Sequence, residues 1–418
     1  MTIKKLHSLF LQYPVIDTDT RKIRNNSIFF ALKGENFNGN LFALEALESG
    51  AKYAIVDEDL KTELDNIIKV DNVLETLQQL ATYHRNYLSI PIIALTGSNG
   101  KTTTKELIHV VLKQKYNCTA TVGNLNNHIG VPLTLLSMSK KTEIGIVEMG
   151  ANHLNEIELL SNIAQPNYGL ITNFGKAHLE GFGGVNGVIK GKSELYEFIK
   201  NSNGKVFINQ NDPIQVKRSR EIETININKS IKLLDSAPFV KVSFDEIEIQ
   251  SKLIGEYNYV NIALAITIGS HFKIPKSKIK EALENYIPTN NRSQIIKKES
   301  HKIILDAYNA NPSSMKAALD NFNTIEDSSK IVILGDMFEL GETSCEEHQS
   351  ISDLAEFLKF DEVYLIGENF SGVKTRKASK FESFSEFINN IDFTTFKHST
   401  ILIKGSRGMA LERVLDFL

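Results

Sequence analysis

The chain has 418 residues, 42% of them hydrophobic, with 47 basic side chains against 50 acidic ones and a net charge of -3. That balance argues against an extended nucleic-acid footprint or a polybasic membrane patch, so the expected partners are small molecules. The length exceeds what one hydrophobic core supports, and two or three domains are expected. Cys118 and Cys345 are the only cysteines, too few and too far apart for a disulfide framework, which suits a reducing cytoplasm. LHSLFLQYPV near the start is too short and polar for a signal core, and no later apolar run approaches membrane-spanning length.

In chain order, the first block carries the strand-like SIFFAL, a helix-like LFALEALESG from Leu41 and the strand-like AKYAIV. A helix over Val73 to Tyr87 closes it, because Pro91 disfavours helix just before it. The second block alternates apolar strands with helices: IPIIAL, EIGIVEMG, YGLITNF and KVFINQ. Such alternation means βαβ units and a parallel sheet. Ile222 to Ile254 reads as short antiparallel strands, and Asn258 to Ile268 as a helix. A polar link at Pro288 to Arg292 leads to a third block with strands HKIILDAY, KIVILGD, EVYLIG and STILIKG. The expected architecture is α/β, with a small N-terminal α/β domain (1–88), a central P-loop parallel-sheet domain (89–290) and a C-terminal Rossmann-like domain (291–418).

Thr96 to Lys105, TGSNGKTTTK, carries the strongest chemical signal. A strand leads into it and a helix-forming TTTKELIHVVLKQ follows, the order of a phosphate-binding loop. Gly97 and Gly100 let the backbone of Gly97, Ser98, Asn99 and Gly100 turn its N–H groups around phosphate oxygens. Lys101 adds a point charge, Thr102 offers a hydroxyl to Mg²⁺, and Thr103 continues the helix N-terminus. The first glycine of the general P-loop pattern would fall at Leu95, so the loop is of a narrower type. The bland alternative, a glycine turn with a surface lysine, leaves the strand and helix on either side unexplained.

Glu148 and His178 each follow an apolar strand of the same sheet, where a carboxylate and an imidazole would suit divalent-metal positions beside Thr102. Either alone reads equally as an N-cap or a buried, hydrogen-bonded histidine. On helical spacing alone Lys190, Lys192 and Lys200 read as solvated charges. In DAYNANPSSM, Asp306 could hold a ribose hydroxyl, and Tyr308, Asn309 and Asn311 could line a cleft, while an Asx turn accounts for Asn311 and Pro312. KGSR, with Lys404 and Arg407, offers two cations at a strand end, for a carboxylate or simply at a helix entry.

Taken in order, TGSNGKTTTK, TVGNLNNHIGVPLTLL, EMGANHLNEI, TNFGKAHLEGFG, DAYNANPSSM, LGDMFELG and KGSRGMALE resemble the Mur ligases of peptidoglycan synthesis. The likeness spans almost the whole chain, and IDTDTRKIRNNSIFFALKGENFNGN resembles their uridine-nucleotide-binding block. The resemblance implies ATP-dependent amide synthesis: a carboxylate attacks the γ-phosphate of ATP, and an amine then displaces phosphate from the acyl phosphate. It implies UDP-N-acetylmuramoyl-tripeptide and D-alanyl-D-alanine as substrates, ATP and Mg²⁺ as cofactors, and a cytoplasmic monomer without membrane insertion.

By the same likeness Lys101 serves the phosphates, and Thr102, Glu148 and His178 fall at metal positions. Lys192 matches a lysine that the family carbamylates, in a KSE setting where glycine is usual in place of Ser193. Asn258 and Asn261 would lie near the adenine, Arg292 would reach the phosphates, and Asp306 and Tyr308 would meet the nucleotide. Thr20, Arg21, Lys33 and Gly34 would contact the uridine nucleotide, although Asn38 and Asn40 stand where an acidic residue and a histidine are expected. Asn126, Asn127 and Asn309 fall on the substrate side, and Lys404, Ser406 and Arg407 near the dipeptide. The third domain would close on the nucleotide and exclude water. The nearest alternative is a Mur-type ligase for another amino acid or for folate; from the P-loop alone, a nucleotide-dependent switch also stays open.

Overall fold

The computed structural model describes every residue except Glu63, Thr289, Asn290, Glu299, Ser300 and Ser328, so the link at Pro288 to Arg292 lies partly outside the described residues. Three main sheets, parallel except for one edge strand of the third, follow one another along the chain. The first has four strands in the order Ile16–Asp17, Ile28–Phe30, Tyr53–Val56, Ile67–Lys69, all parallel. Val73–Leu88 packs on it as a helix, its buried Val73, Leu77, Leu80 and His84 recurring at helical spacing. Asn72 caps its start, and Ser89 in a left-handed conformation ends it before Pro91. LHSLFLQYPV contributes to a helix, Ile3–Gln12, whose Leu6, His7 and Phe10 are buried.

The central sheet orders six parallel strands as Glu223–Asn226, Lys205–Ile208, Tyr168–Ile171, Ile92–Thr96, Ile144–Glu148 and Cys118–Ala120. Ile92 to Leu95 are wholly buried, as expected of a strand covered by helices on both faces. One expectation is corrected here. Glu223–Asn226 is no antiparallel strand but the parallel edge of this sheet, and within the stretch Ile222 to Ile254 the antiparallel unit is formed by Ile231–Asp235, Lys241–Phe244 and Ile247–Gln250. An edge strand with an exposed face alternates polar and apolar residues just as an antiparallel strand does, which hides the difference in the sequence.

The C-terminal sheet runs Gln294–Lys298, His301–Asp306, Thr400–Lys404, Lys330–Gly335, Glu362–Ile366, Ser379–Phe381. Only the Gln294–Lys298 edge is antiparallel. Both large sheets point carboxyl ends at a common cleft, which places Ser98, Glu148 and Asp306 around one space. Cys118 is buried with its thiol pushed up to about 12 by desolvation, Cys345 is exposed, and both are free.

Candidate active site

The cleft encloses about 890 Å³ between the central and C-terminal sheets. Its floor is the loop from Gly97 to Gly100, with φ of 144° and 77° at the two glycines. A Cβ at Gly97 would stand 2.0 Å from Thr172 Oγ1, and one at Gly100 would stand 2.9 Å from Asn261 Oδ1, so no larger side chain fits either turn without movement. Asn173 braces the loop: its carbonyl accepts from Ser98 N–H at 3.1 Å and its Oδ1 from Asn99 N–H at 3.1 Å. Asn173 stands two residues past the Tyr168–Ile171 strand, at the carboxyl end of the sheet where ligands are expected. Lys101, the first residue of the Lys101–Leu112 helix, spans its own loop and donates to Gly97 O at 2.7 Å and Ser98 O at 3.3 Å. Burial in the cleft, partly offset by Glu148 and reinforced by Arg292, lowers its pKa to about 8.

Glu148 ends its strand under this loop and is almost fully buried. Its Oε1 accepts from Thr102 Oγ1 at 3.1 Å and Asn126 Nδ2 at 2.9 Å, while its backbone N–H donates to Thr121 Oγ1 at 2.9 Å. Its Oε2 is buried with no hydrogen-bond partner, Lys105 Nζ standing 3.9 Å away. An unpartnered buried carboxylate oxygen beside a threonine hydroxyl is a donor set fitting a hard divalent cation, which completes its shell with water and phosphate oxygens. Among the described residues no group of three or more His, Cys, Asp and Glu side chains could hold a metal by itself.

His178 also lines the cleft, but its Nδ1 is in hydrogen-bond contact with Glu339 of the C-terminal domain. Lys192 corrects the reading from spacing alone: on the Val185–Asn201 helix, Lys190 and Lys200 are exposed, whereas Lys192 is fully buried. Its Nζ donates to Ala151 O at 3.0 Å and lies 4.9 Å above the Phe182 ring, and burial drives its pKa well below the ordinary lysine value. Only packing against Ala151 and Phe182, residues 41 and 10 positions away, distinguishes it from its neighbours.

Asn258 and Asn261 sit on the buried Asn258–His271 helix behind Gly100, where Asn261 accepts from Thr104 Oγ1 at 3.1 Å and donates to Asn258 Oδ1 at 2.9 Å. The guanidinium carbon of Arg292 lies over the Tyr308 ring, 3.7 Å from its centroid. Asp306 is already engaged: Oδ2 accepts from Lys404 Nζ at 2.5 Å and Oδ1 from Ser293 N–H at 3.0 Å. Lys404 also donates to Asn309 O at 3.2 Å, so its charge answers Asp306. Ser98, Asn99, Thr103, Asn126 and Asn127 line the cleft as well. Two amides bridge the domains, Asn311 Nδ2 donating to Asn99 Oδ1 at 2.7 Å.

The remaining expected residues lie off this cleft. Ser406 and Arg407 stand beside it without lining it: Ser406 Oγ accepts from Phe338 N–H at 3.0 Å, and Arg407 pairs with Glu412 at 2.8 Å while lying 6.0 Å from the ring centroid of Tyr308, which lines the cleft. Thr20, Arg21, Lys33 and Gly34 stand on the N-terminal domain, with Arg21 forked onto Asp19 and Lys33 held 2.9 Å from both Asp57 and Glu58. Asn40 is buried there and uses both ends of its amide: it donates to Asn38 Oδ1 at 3.0 Å and Asp57 Oδ1 at 2.8 Å, and accepts from Asp57 N–H at 3.0 Å. Asparagine thus serves as a brace at this position.

Residues 12–85, 95–269 and 291–407 match, in that order, the "Mur ligase family, catalytic domain", the "Mur ligase middle domain" and the "Mur ligase, glutamate ligase domain". The UDP-N-acetylmuramoyl-tripeptide–D-alanyl-D-alanine ligase of Bacillus subtilis is 33% identical over 422 residues, 96% of this chain and 92% of that one. The chain belongs to the Mur ligase family. Among solved structures, MurF from Acinetobacter baumannii superposes with a TM-score of 0.86 at 32% identity, covering 96% of this chain and 92% of that one. The MurF ligase of Thermotoga maritima in complex with ADP gives 0.82 at 25% identity, covering 97% of each chain. The three-domain α/β architecture of this Mur ligase is therefore the one on which those MurF ligases are built.

Proposed function

We propose that this Mur ligase uses ATP to join D-alanyl-D-alanine to UDP-N-acetylmuramoyl-tripeptide in the synthesis of peptidoglycan precursors. The observation that carries this reading is likeness along nearly the full chain to ligases of that name, together with a glycine loop, Lys101 and Glu148 at one cleft. The terminal carboxylate of the tripeptide attacks the γ-phosphorus of ATP, forming an acyl phosphate and releasing ADP. The dipeptide amine then attacks the acyl carbon; phosphate leaves, the nitrogen loses a proton, and an amide is formed.

Phosphoryl transfer needs alignment and charge neutralisation more than covalent help, and the residues supply both. Backbone N–H groups from Gly97 to Gly100 and the ammonium of Lys101 hold phosphate oxygens. Asn258 and Asn261 flank the base, and Arg292 and Tyr308 approach from the opposite wall, where Asp306 and Lys404 stiffen the strand ends. Thr102, Glu148 and His178, with Lys192 if carbamylated, would hold Mg²⁺, which supplies charge neutralisation on the phosphates. A buried lysine held neutral is the form that can take up carbon dioxide, so the burial of Lys192 supports that modification. Thr20, Arg21, Lys33 and Gly34 face the uridine nucleotide from domain 1–88, Asn126, Asn127 and Asn309 the tripeptide from domains 89–290 and 291–418, and Ser406 and Arg407 the dipeptide. The enzyme acts as a cytoplasmic monomer serving cell wall growth, shape and division; among the described residues no helix is long and apolar enough to cross a membrane.

The test is ADP release by purified protein with ATP, Mg²⁺, UDP-N-acetylmuramoyl-tripeptide and D-alanyl-D-alanine, each omitted in turn. Release that requires every component, with a product heavier by one dipeptide less water, is expected; release indifferent to the dipeptide would sink the assignment.

A further inference from the structure

In LGDMFELG the first two residues end the Lys330–Gly335 strand, and the loop from Asp336 to Leu340 that follows is tied into the C-terminal domain. The buried Asp336 carboxylate accepts from Asn369 N–H at 2.9 Å, Asn369 Nδ2 at 3.0 Å and Phe370 N–H at 2.9 Å. Met337 N–H donates to His348 Nε2 at 3.0 Å, and Phe338 N–H to Ser406 Oγ at 3.0 Å. From this support Glu339, in a left-handed conformation with φ of 62°, reaches the central domain. Its carbonyl accepts from Glu180 N–H at 3.3 Å and its carboxylate meets His178 Nδ1.

A carboxylate only accepts, so Nδ1 carries the proton, and in the neutral ring the lone pair lies on Nε2. That is the arrangement in which an acidic partner orients a histidine for metal binding. Here the partner comes from another domain, 161 residues along the chain.

We propose that Glu339 is a positioning residue for His178: docking of the C-terminal domain supplies the carboxylate that sets the imidazole with Nε2 presented to a divalent cation. The inference rests on the ligase reading, in which His178 is a metal ligand. It makes cation affinity depend on closure, because the open molecule has His178 but not its orienting partner. The competing account is a plain clasp, and the same interface holds a suitable control: Lys176 pairs with Glu347 at 2.5 Å without touching His178.

The experiment titrates Mn²⁺ into full-length protein saturated with ADP and reads free Mn²⁺ by electron paramagnetic resonance. Glu339→Ala is expected to weaken Mn²⁺ by about 10- to 100-fold. Glu339→Gln, whose amide oxygen still accepts from Nδ1–H, should return to within about 5-fold of wild type, and Glu347→Ala should cost no more than about 5-fold, the scale of an exposed ion pair. Equal losses in Glu339→Ala and Glu347→Ala, no loss in Glu339→Ala, or no recovery in Glu339→Gln would each overturn the proposal. Ligation is scored separately on wild type: absence of dipeptide-dependent ADP release defeats the ligase reading, while the Mn²⁺ titrations still decide the role of Glu339.

Discussion

The central and C-terminal sheets are built alike, six strands each with their carboxyl ends on one cleft, yet their first strand-to-helix turns do opposite things. After Ile92–Thr96 the chain turns through Gly97 and Gly100, and the Lys101–Leu112 helix begins with no side-chain cap, so its N–H groups face the cleft. After His301–Asp306 the turn is filled by its own side chains: Asp306 is tied to Lys404, and Asn311 and Ser314 form a reciprocal capping box. One turn leaves donors for a ligand, the other spends them on rigidity. Similar topology therefore yields a phosphate cradle in one domain and a firm wall in the other, and the difference lies in a handful of loop residues.

If that division holds, the two lysines at these turns must fail differently when removed. Lys101→Ala should lower kcat/KM by about 10³-fold, as loss of a charge aimed at the transferring phosphate does, with folding stability little changed. Steady-state ADP release checks this, and a loss below tenfold would break the comparison. Lys404→Met should instead cost about 3 kcal/mol of stability in denaturant titrations, because it strands Asp306 beside a 2% exposed position. The pair Asp306→Asn with Lys404→Met should recover most of it.

Gly100→Ala sharpens the same contrast at smaller scale. A left-handed residue pressed against Asn261 costs on the order of 1–3 kcal/mol, and nucleotide binding followed by calorimetry should weaken by about tenfold for a strain near the lower end. Next comes pH. Because burial lowers Lys101 to about 8, its charge is lost above that pH in the free enzyme. Bound phosphate restores the charge, so nucleotide affinity should fall as pH rises through 8, by at most about tenfold per unit. Calorimetry at pH 8.5 in buffers of different ionisation enthalpy should show proton uptake on binding; identical heats would refute it.

The smallest effect belongs to the N-terminal contact. His7 Nε2 and His84 Nδ1 stand 3.0 Å apart and His84 Nε2 meets Met138 O at 2.9 Å, a relay from the first domain into the second. Burial, and then the neighbouring His84, bring His7 down to about 4 from 6.5, and burial lowers His84 too. Rings neutral when folded but protonated when unfolded give stability that is complete above pH 6.5 and is lost as pH falls from 6.5 toward 4. The melting temperature should drop by ~2–4 °C between pH 7 and 5, and His7→Gln should flatten that slope.

Much of the fold was legible because its signals are local. Buried runs such as IIALT and IVILG announce parallel strands, and Ser89 before Ile90-Pro91 announces a helix end. Glu223–Asn226 misled because half-exposed edge strands of either direction alternate alike. In the site, the glycine loop, Glu148 and the Asn311–Pro312 helix start were visible for the same local reason. Ser293 was not, since its N–H and Oγ act on Asp306 and Tyr257, partners that only the fold brings to it.

The sequence by itself determined the phosphate loop, the succession of α/β units and the family, because glycine conformations, apolar periodicity and ordered motifs belong to the chain. Tertiary structure alone decided that Lys192 is buried while Lys190 and Lys200 are solvated, that Lys404 answers Asp306 from 98 residues away, and that Glu339 meets His178. The physical reason is that burial and ion pairing depend on what packs against a side chain, and those neighbours come from distant segments that spacing along one helix or strand does not specify.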